Sequence, residues 1–250
     1  MHPTKNEETF NIIGGTPTGA IPAEAIDAAE KHLRDVLAIA FEHALPRSAV
    51  VVFDARCDLA IALTEAYRRC LPGATFIDFD AVSPETVAGA FVPLAASDLV
   101  VLIQSTNFRL DAYRIRVELF KRDLKVIEHP HLGRMSGLQA LYYIESLAYD
   151  PAYYRGVGNA LKTRIDRARC GAVDSGGERL IFASPFESAK LNVGDYSNMK
   201  NVGGQFPIGE VFTEAQDLEA VNGRVRIFVF GDTSFSVNRP NQPRPSPFLW

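Results

Sequence analysis

Long apolar runs, paired cysteines and an excess of one charge are all missing from this sequence, and each absence excludes a class of protein. No stretch approaches the roughly 18 consecutive apolar residues of a membrane-spanning helix. The formal net charge is only −4 and the basic residues are scattered, whereas nucleic acids and anionic lipid surfaces require clustered lysine and arginine. We therefore expect no membrane partner and no nucleic-acid partner.

Cysteine is scarce, and its three residues are odd in number and fit no zinc-finger spacing: Cys57, Cys70 and Cys170. Such usage is typical of free thiols in a reducing compartment rather than of a disulfide framework. The first residues also lack the apolar stretch of a secretory leader. The sequence therefore predicts a cytoplasmic protein.

Two common catalytic patterns are absent as well. No Gly-rich phosphate loop follows any predicted strand, which argues against dinucleotide binding. No Gly-x-Ser-x-Gly pattern occurs, so serine hydrolysis has no support. Cys57 follows the first predicted strand and opens a helix, where a thiol can act as a nucleophile, but a cysteine in this position is more often a small buried residue.

Over its first 170 residues the sequence alternates between helical and extended patterns. Pro22 can start a helix, in which apolar residues recur every three or four positions until Pro46 ends it. Ser83 and Pro84 form another helix start. Further helices are predicted at 59–70, 112–122 and 138–169. Four short runs are predicted as strands: 49–53, 75–79, 99–103 and 125–128. Of these, 49–53 is a continuous apolar run, as expected of a strand buried on both faces, and 99–103 is the clearest strand. This alternation predicts an α/β fold with an open, mostly parallel sheet and flanking helices.

The pattern changes near residue 170, after which short extended runs alternate with turn residues. Asn222-Gly223 is the strongest hairpin signal in this part. We interpret 1–170 as an α/β domain and 171–250 as the start of a smaller, β-rich domain. Its tail, 238–250, is rich in proline and cannot form a full strand ladder.

One stretch of the second region places a single carboxylate between a loop and a strand. It runs from Gly203 to Thr213 with the sequence Gly-Gly-Gln-Phe-Pro-Ile-Gly-Glu-Val-Phe-Thr. The glycines permit close backbone approach, Pro207 fixes φ, and the residues after Glu210 favour an extended strand. Glu210 is therefore expected at a loop-to-strand junction, with its carboxylate on a rigid edge.

The run Phe-Pro-Ile-Gly-Glu-Val-Phe-Thr, together with Val-Asn-Gly-Arg-Val at 221–225, resembles the pattern of the aminopeptidase T type, the family of thermophilic metalloproteases. The resemblance is strong over 203–225 and diffuse over 48–200. It implies that Glu210 is a ligand of a two-metal centre that holds zinc, cobalt or manganese, and that the substrate is a peptide or another small molecule. The family's other ligands, a glutamate, histidines, an aspartate and a tyrosine, follow this motif.

Only 40 residues follow Glu210 in this sequence, so we expect an incomplete or inactive centre. A non-catalytic binding domain is one alternative. Another is a fragment of a ring-cleaving dihydroxypyridine dioxygenase, a family related in fold, which would need one iron and a His/His/carboxylate set. The sequence leaves the oligomeric state open, and a homodimer is compatible with it.

Other candidate residues follow the ends of predicted strands, where open α/β sheets bind their ligands. The polar loops concerned are 54–56, 104–107 and 129–131. His129 and His131 alternate on an extended segment and so point to one face, which gives two metal ligands at most. We favour a second interpretation, in which these histidines line a cleft or bond the sheet edge, together with Arg134.

Two charged residues precede the motif, Lys190 and Asp195. Either can orient Glu210 from behind the metal site. The alternative is that both belong to a solvated turn.

Overall fold

The central element of the fold is a five-stranded sheet in which all neighbouring strands are parallel. The structure is a computed structural model, and it describes residues 20–44, 46–110, 113–115, 119, 121–196, 199 and 202–226. In chain order the strands are β1 (Ala49–Phe53), β2 (Thr75–Asp78), β3 (Leu99–Ile103), β4 (Arg109–Leu110), β5 (Tyr113–Arg114), β6 (Lys125–His129), β7 (Gly171–Ser175), β8 (Glu178–Phe182), β9 (Lys190–Asn192), β10 (Val202–Gln205), β11 (Glu210–Phe212) and β12 (Val221–Gly223). The sheet has the strand order β10-β6-β3-β1-β2.

Helices flank this sheet on both faces. In chain order they are α1 (Ala23–Asp35), which continues as a π-helix over Val36–Ala40, α2 (Asp58–Cys70), α3 (Pro84–Phe91), a short 3-10 turn (Leu132–Arg134), α4 (Leu138–Ser146) and α5 (Pro151–Arg167). One hydrophobic cluster joins the sheet to α1, α2 and α4, and a second joins it to α3. In β1, Val51 belongs to the first cluster and Val50 and Val52 belong to the second, so this strand is buried on both faces.

The predicted fold class is confirmed. Besides the parallel sheet, the described residues form three smaller antiparallel sheets, β12-β8-β7, β11-β9 and β4-β5. Pro22 is the N-cap of α1, and Ser83 is the N-cap of α3, where its hydroxyl accepts a hydrogen bond from the amide of Thr86 at 3.3 Å. The four runs predicted as strands all form strands of the parallel sheet.

Asn222 and Gly223 do not form the predicted hairpin turn. Both lie inside β12, which pairs antiparallel with β8. Gly223 has a φ of +120°, and a Cβ built there would lie 2.0 Å from the carbonyl oxygen of Arg179. The glycine is therefore required because the two backbones approach closely, and not because the chain turns.

β10 comes from the region interpreted as a second domain, yet it pairs with β6 at one edge of the parallel sheet. β7, β8 and β12, by contrast, form a separate antiparallel sheet. One strand of the 171–250 region thus joins the parallel sheet and three do not, and the division near residue 170 stays a prediction. The tail at 238–250 lies outside the described residues, as do residues 112, 116–118 and 120 of the helix predicted at 112–122. The start of that prediction is wrong, because Tyr113 and Arg114 form β5, which pairs antiparallel with β4.

All three cysteines are free thiols, as expected. Burial raises the pKa of the Cys70 thiol to about 11, whereas Cys170 is exposed. In the part of the chain that the structure describes, no helix has both the length and the apolar character to cross a membrane.

Candidate functional site

Glu210 is the first residue of β11 and follows shortly after the carboxyl end of β10. It therefore lies on the side of the parallel sheet at which the strands end, where α/β proteins bind ligands. The ladder between β11 and β9 pairs Glu210 with Asn192. Glu210 therefore lies at a loop-to-strand junction, as its neighbours in the sequence indicate. The residue is exposed, so solvent reaches the carboxylate.

The Glu210 side chain has one hydrogen-bond partner within the described residues. Asn192 Nδ2 donates to Glu210 Oε2 at 3.3 Å, and the Asn192 side-chain oxygen accepts a bond from the Tyr196 hydroxyl. Burial raises the pKa of Tyr196, and the neighbouring Tyr149 and Glu210 raise it further. The hydroxyl therefore stays protonated, and the three side chains form a polar chain that ends on the carboxylate.

Gly209 sets the direction in which the backbone enters β11. It has a φ of +129°, and a Cβ built there would lie 2.8 Å from the ring of Tyr154. Its amide donates to the carbonyl oxygen of Asn192 at 3.0 Å. A side chain at this position would both strain the backbone and displace the tyrosine, so the glycine keeps Glu210 opposite Asn192.

His129 ends β6 and is completely buried. Its ring bonds side chains of two helices, and its role toward a ligand stays a prediction. Its Nε2 lies 2.9 Å from the Tyr67 hydroxyl, and its Nδ1 lies 2.7 Å from the Tyr143 hydroxyl. Tyr143 donates in turn to the carbonyl oxygen of Phe206 at 2.9 Å. Burial lowers the pKa of His129 to about 3. The ring is therefore neutral near pH 7, and it connects β6 to the segment that precedes Glu210.

His131 and Arg134 stand at the two ends of the 3-10 turn that follows β6, His131 as its N-cap and Arg134 as its last residue. His131 has a left-handed backbone with a φ of +57°. The turn is attached to the loop after β3, since the Gly133 amide donates to the carbonyl oxygen of Ser105 at 3.1 Å. Both His131 and Arg134 interact with other groups of the molecule. They belong to the carboxyl edge of the sheet, and their role toward a ligand stays a prediction.

Lys190 and Asp195 lie on either side of Asn192 in the chain. Lys190 pairs with Phe212 across the β9-β11 ladder, with its Nζ 6.0 Å from the ring centroid. Asp195 Oδ1 lies 4.0 Å from a guanidinium nitrogen of Arg155. Both side chains are exposed. The structure thus places them near the partner of Glu210, and an orienting role stays a prediction.

A second polar cluster lies at the carboxyl ends of the neighbouring strands β1 and β3. The chain continues from β1 to β2 on one side and from β3 to β6 on the other, so the strand order reverses at this point, where open α/β sheets bind ligands. Asp54 accepts hydrogen bonds from the Ser105 hydroxyl and from the Ser105 amide, the latter at 2.8 Å. The same hydroxyl lies 3.0 Å from Cys57 Sγ, at the N-cap of α2. The Arg56 amide also donates to Asp54, at 3.2 Å. These bonds hold the loop after β1 against the loop after β3. Both oxygens of the Asp54 carboxylate therefore already accept hydrogen bonds from within the protein.

The fit of a metal ion follows from these positions. Within the described ranges, no group of three or more histidine, cysteine, aspartate or glutamate side chains is placed to hold one. Glu210 supplies a single carboxylate, and a catalytic zinc ion usually takes three protein ligands. The described residues alone therefore do not fit a complete metal centre.

Sequence reasoning did not find Tyr143, Asn192 or Tyr196. Tyr143 lies in a predicted helical segment, where an aromatic residue indicates only packing. Asn192 and Tyr196 lie in the stretch around Lys190 and Asp195 that the sequence analysis singled out. Pairing the short extended runs around Asn192 and Glu210 as neighbouring strands would have placed Asn192 opposite Glu210.

No protein-family model matches the chain, and no curated protein matches it. Among solved structures, wild-type AmpT from Thermus thermophilus is similar at 12% sequence identity, with a TM-score of 0.38. The match covers 75% of this chain and 61% of that chain, so the chain spans less than two thirds of the length of AmpT. A TM-score this low supports no argument about function.

Proposed function

We propose that this chain contributes Glu210 as one ligand of a metal-dependent, aminopeptidase-type hydrolase centre. The observation that carries the proposal is that the carboxylate is exposed at the carboxyl edge of the sheet, and that its side-chain partner in the described residues is the neutral amide of Asn192. A carboxylate held in this way keeps the negative charge and the lone pairs that a divalent ion requires. The resemblance of the Glu-Val-Phe-Thr run supports the same residue.

Zinc, cobalt and manganese are the ions that the resemblance implies. A pair of such ions polarises a peptide carbonyl and supplies a nucleophilic water at neutral pH. The remaining ligands have to come from outside the described residues, because one carboxylate does not hold a metal ion against water. The proposed substrate is a peptide, and no reaction step is assigned to the residues described.

A non-catalytic binding domain is the second candidate, and the polar chain from Tyr196 through Asn192 to Glu210 favours it. In that arrangement the carboxylate ends a series of hydrogen bonds that connect β11 to β9. Glu210 therefore stabilises the protein without any metal ion. A dioxygenase fragment would instead need an iron ion and two histidines beside the carboxylate.

Manganese binding, followed by NMR, tests the role of Glu210. Bound Mn²⁺ broadens the amide signals of nearby residues even when its affinity is low. We expect selective broadening around Glu210 and Asn192, and loss of this broadening in Glu210→Gln. Glu214→Gln alters another exposed glutamate of the same region and should retain it. Broadening that survives in Glu210→Gln would contradict the proposal.

Turnover of an aminoacyl amide in the presence of zinc, cobalt or manganese is the second measurement. We expect no turnover by these 250 residues alone, since the described residues do not complete a centre. Sustained, metal-dependent turnover would show that the centre is complete. A non-catalytic binding domain predicts a different result, namely peptide binding that is unchanged by a chelator.

A further inference from the structure

The segment between β10 and Glu210 determines where the carboxylate can lie. Only four residues, 206–209, separate the end of β10 from Glu210. A connection this short leaves the chain few alternative paths, so any group that holds Phe206 also restricts Glu210.

Phe206 is held by its backbone on both sides. Its amide donates to the carbonyl oxygen of Glu128 at 3.0 Å, which extends the β10-β6 ladder by one residue. Its carbonyl oxygen accepts the Tyr143 hydroxyl at 2.9 Å. Its ring is buried, with centroids 5.9 Å from those of both Phe41 and His129. Of the two hydrogen bonds, the one from Tyr143 is provided by a side chain.

The direction of every hydrogen bond in this network follows from that contact. A carbonyl oxygen can only accept, so the single hydrogen of the Tyr143 hydroxyl points to Phe206. Tyr143 must then accept a hydrogen from His129 Nδ1, which leaves Nε2 without a hydrogen. Nε2 therefore accepts the hydroxyl of Tyr67. The hydrogens run in one direction, from α2 through β6 and α4 to the segment before Glu210, and bonds in such a series strengthen each other.

We propose that Tyr143 and His129 are positioning residues for Glu210, an inference that rests on the metal-ligand role proposed above. His129 fixes the Tyr143 hydroxyl with its hydrogen toward Phe206, and Tyr143 then fixes the sheet end of the 206–209 segment. At the other end, the Gly209 amide is bound to Asn192. The segment is thus restrained at both ends, and the carboxylate is presented in one orientation before any metal ion binds.

Two tyrosine variants separate positioning from general support of the core. Tyr67→Phe and Tyr143→Phe each remove one buried hydroxyl from the same network, but only Tyr143→Phe removes the bond to Phe206. Amide hydrogen exchange at Phe206 and Gly209 measures the restraint. Exchange is expressed relative to the amide of Val101 in β3, so that a general loss of stability cancels.

We expect this relative exchange to increase about tenfold in Tyr143→Phe, the factor that corresponds to loss of one strong hydrogen bond, and to change little in Tyr67→Phe. The Mn²⁺ broadening around Glu210 should weaken in Tyr143→Phe and persist in Tyr67→Phe. Equal exchange in the two variants would overturn the positioning role. If broadening never depends on Glu210 while the exchange rates differ as expected, the metal-ligand role fails and the restraint of the segment is supported.

The unmodified protein gives a second test, which does not depend on whether Tyr143→Phe folds. The ¹⁵N chemical shifts of the His129 ring should show a hydrogen on Nδ1 and none on Nε2. The opposite tautomer would mean that Tyr143 does not donate to Phe206, and it would overturn the inference.

Discussion

Protonation of His129 should destabilise the folded protein at acid pH, because the buried ring has no place for a second hydrogen. Nε2 already accepts the Tyr67 hydroxyl, and Nδ1 donates to Tyr143. Burial lowers the pKa of His129 from 6.5 to about 3. Between these pH values the unfolded chain binds the proton and the folded protein does not. The contribution of His129 to stability is therefore complete above pH 6.5 and is lost as the pH falls toward 3.

The size of this loss follows from the pH range between the two pKa values. Each pH unit within this range lowers the free energy of unfolding by about 1.4 kcal/mol. Lowering the pH from 7.5 to 4.5 therefore removes roughly 2 to 3 kcal/mol of the free energy of unfolding through this histidine. A loss of that size is a large part of the stability of an ordinary domain.

Urea unfolding at both pH values measures the effect in the unmodified protein and in His129→Gln. Carboxylates also titrate over this range, but they do so in both proteins and cancel in the difference. We expect the unmodified protein to lose about 2 to 3 kcal/mol more than the variant. His32→Gln is the control, because His32 is only half-buried and its removal should leave most of the pH dependence. Equal pH dependence in the unmodified protein and His129→Gln would refute the reasoning.

Three further predictions concern the strands, a helix start and the thiols. Gly223→Ala should lower the free energy of unfolding by at least about 2 kcal/mol, because its Cβ would meet the carbonyl oxygen of Arg179; denaturant unfolding that shows no loss would contradict this. Ser83→Ala should cost about 1 kcal/mol in the same assay through loss of the cap of α3, and Ser83→Asp, which can still cap, should cost less. A thiol reagent should label exposed Cys170 before Cys70, whose pKa burial raises to about 11; peptide mass spectrometry gives the order, and earlier labelling of Cys70 would be the contrary result.

Much of the fold is predictable because its signals are local. A buried parallel strand needs apolar side chains on both faces, and this requirement is visible in the runs that became β1 and β3. The hairpin turn predicted at Asn222-Gly223 was wrong because a local pattern does not specify which strand lies beside it. The same glycine satisfies either a tight turn or a close approach of two strands, and only the position of β8 decides between them.

The candidate site was predictable only in part, because its contacts join distant segments. Glycine, proline and β-branched residues beside Glu210 indicate the junction at which it lies. Its pairing with Asn192 depends on the β9-β11 ladder, and the contact of Tyr143 with Phe206 joins residues 63 positions apart. No property of the amino acids near Glu210 reports either contact.

The position of β10 has a consequence for how the chain folds. β10 begins more than seventy residues after β6 ends, although the two strands are neighbours in the sheet. Until Val202 and the residues after it have been synthesised, β6, all of whose residues are buried in the folded protein, is an edge strand with a row of unpaired backbone groups. Forming this last pair requires closure of a long loop, which slows folding. The growing chain therefore passes through a stage at which β6 is open to pairing with other molecules, and it is at this stage that aggregation competes with completion of the sheet.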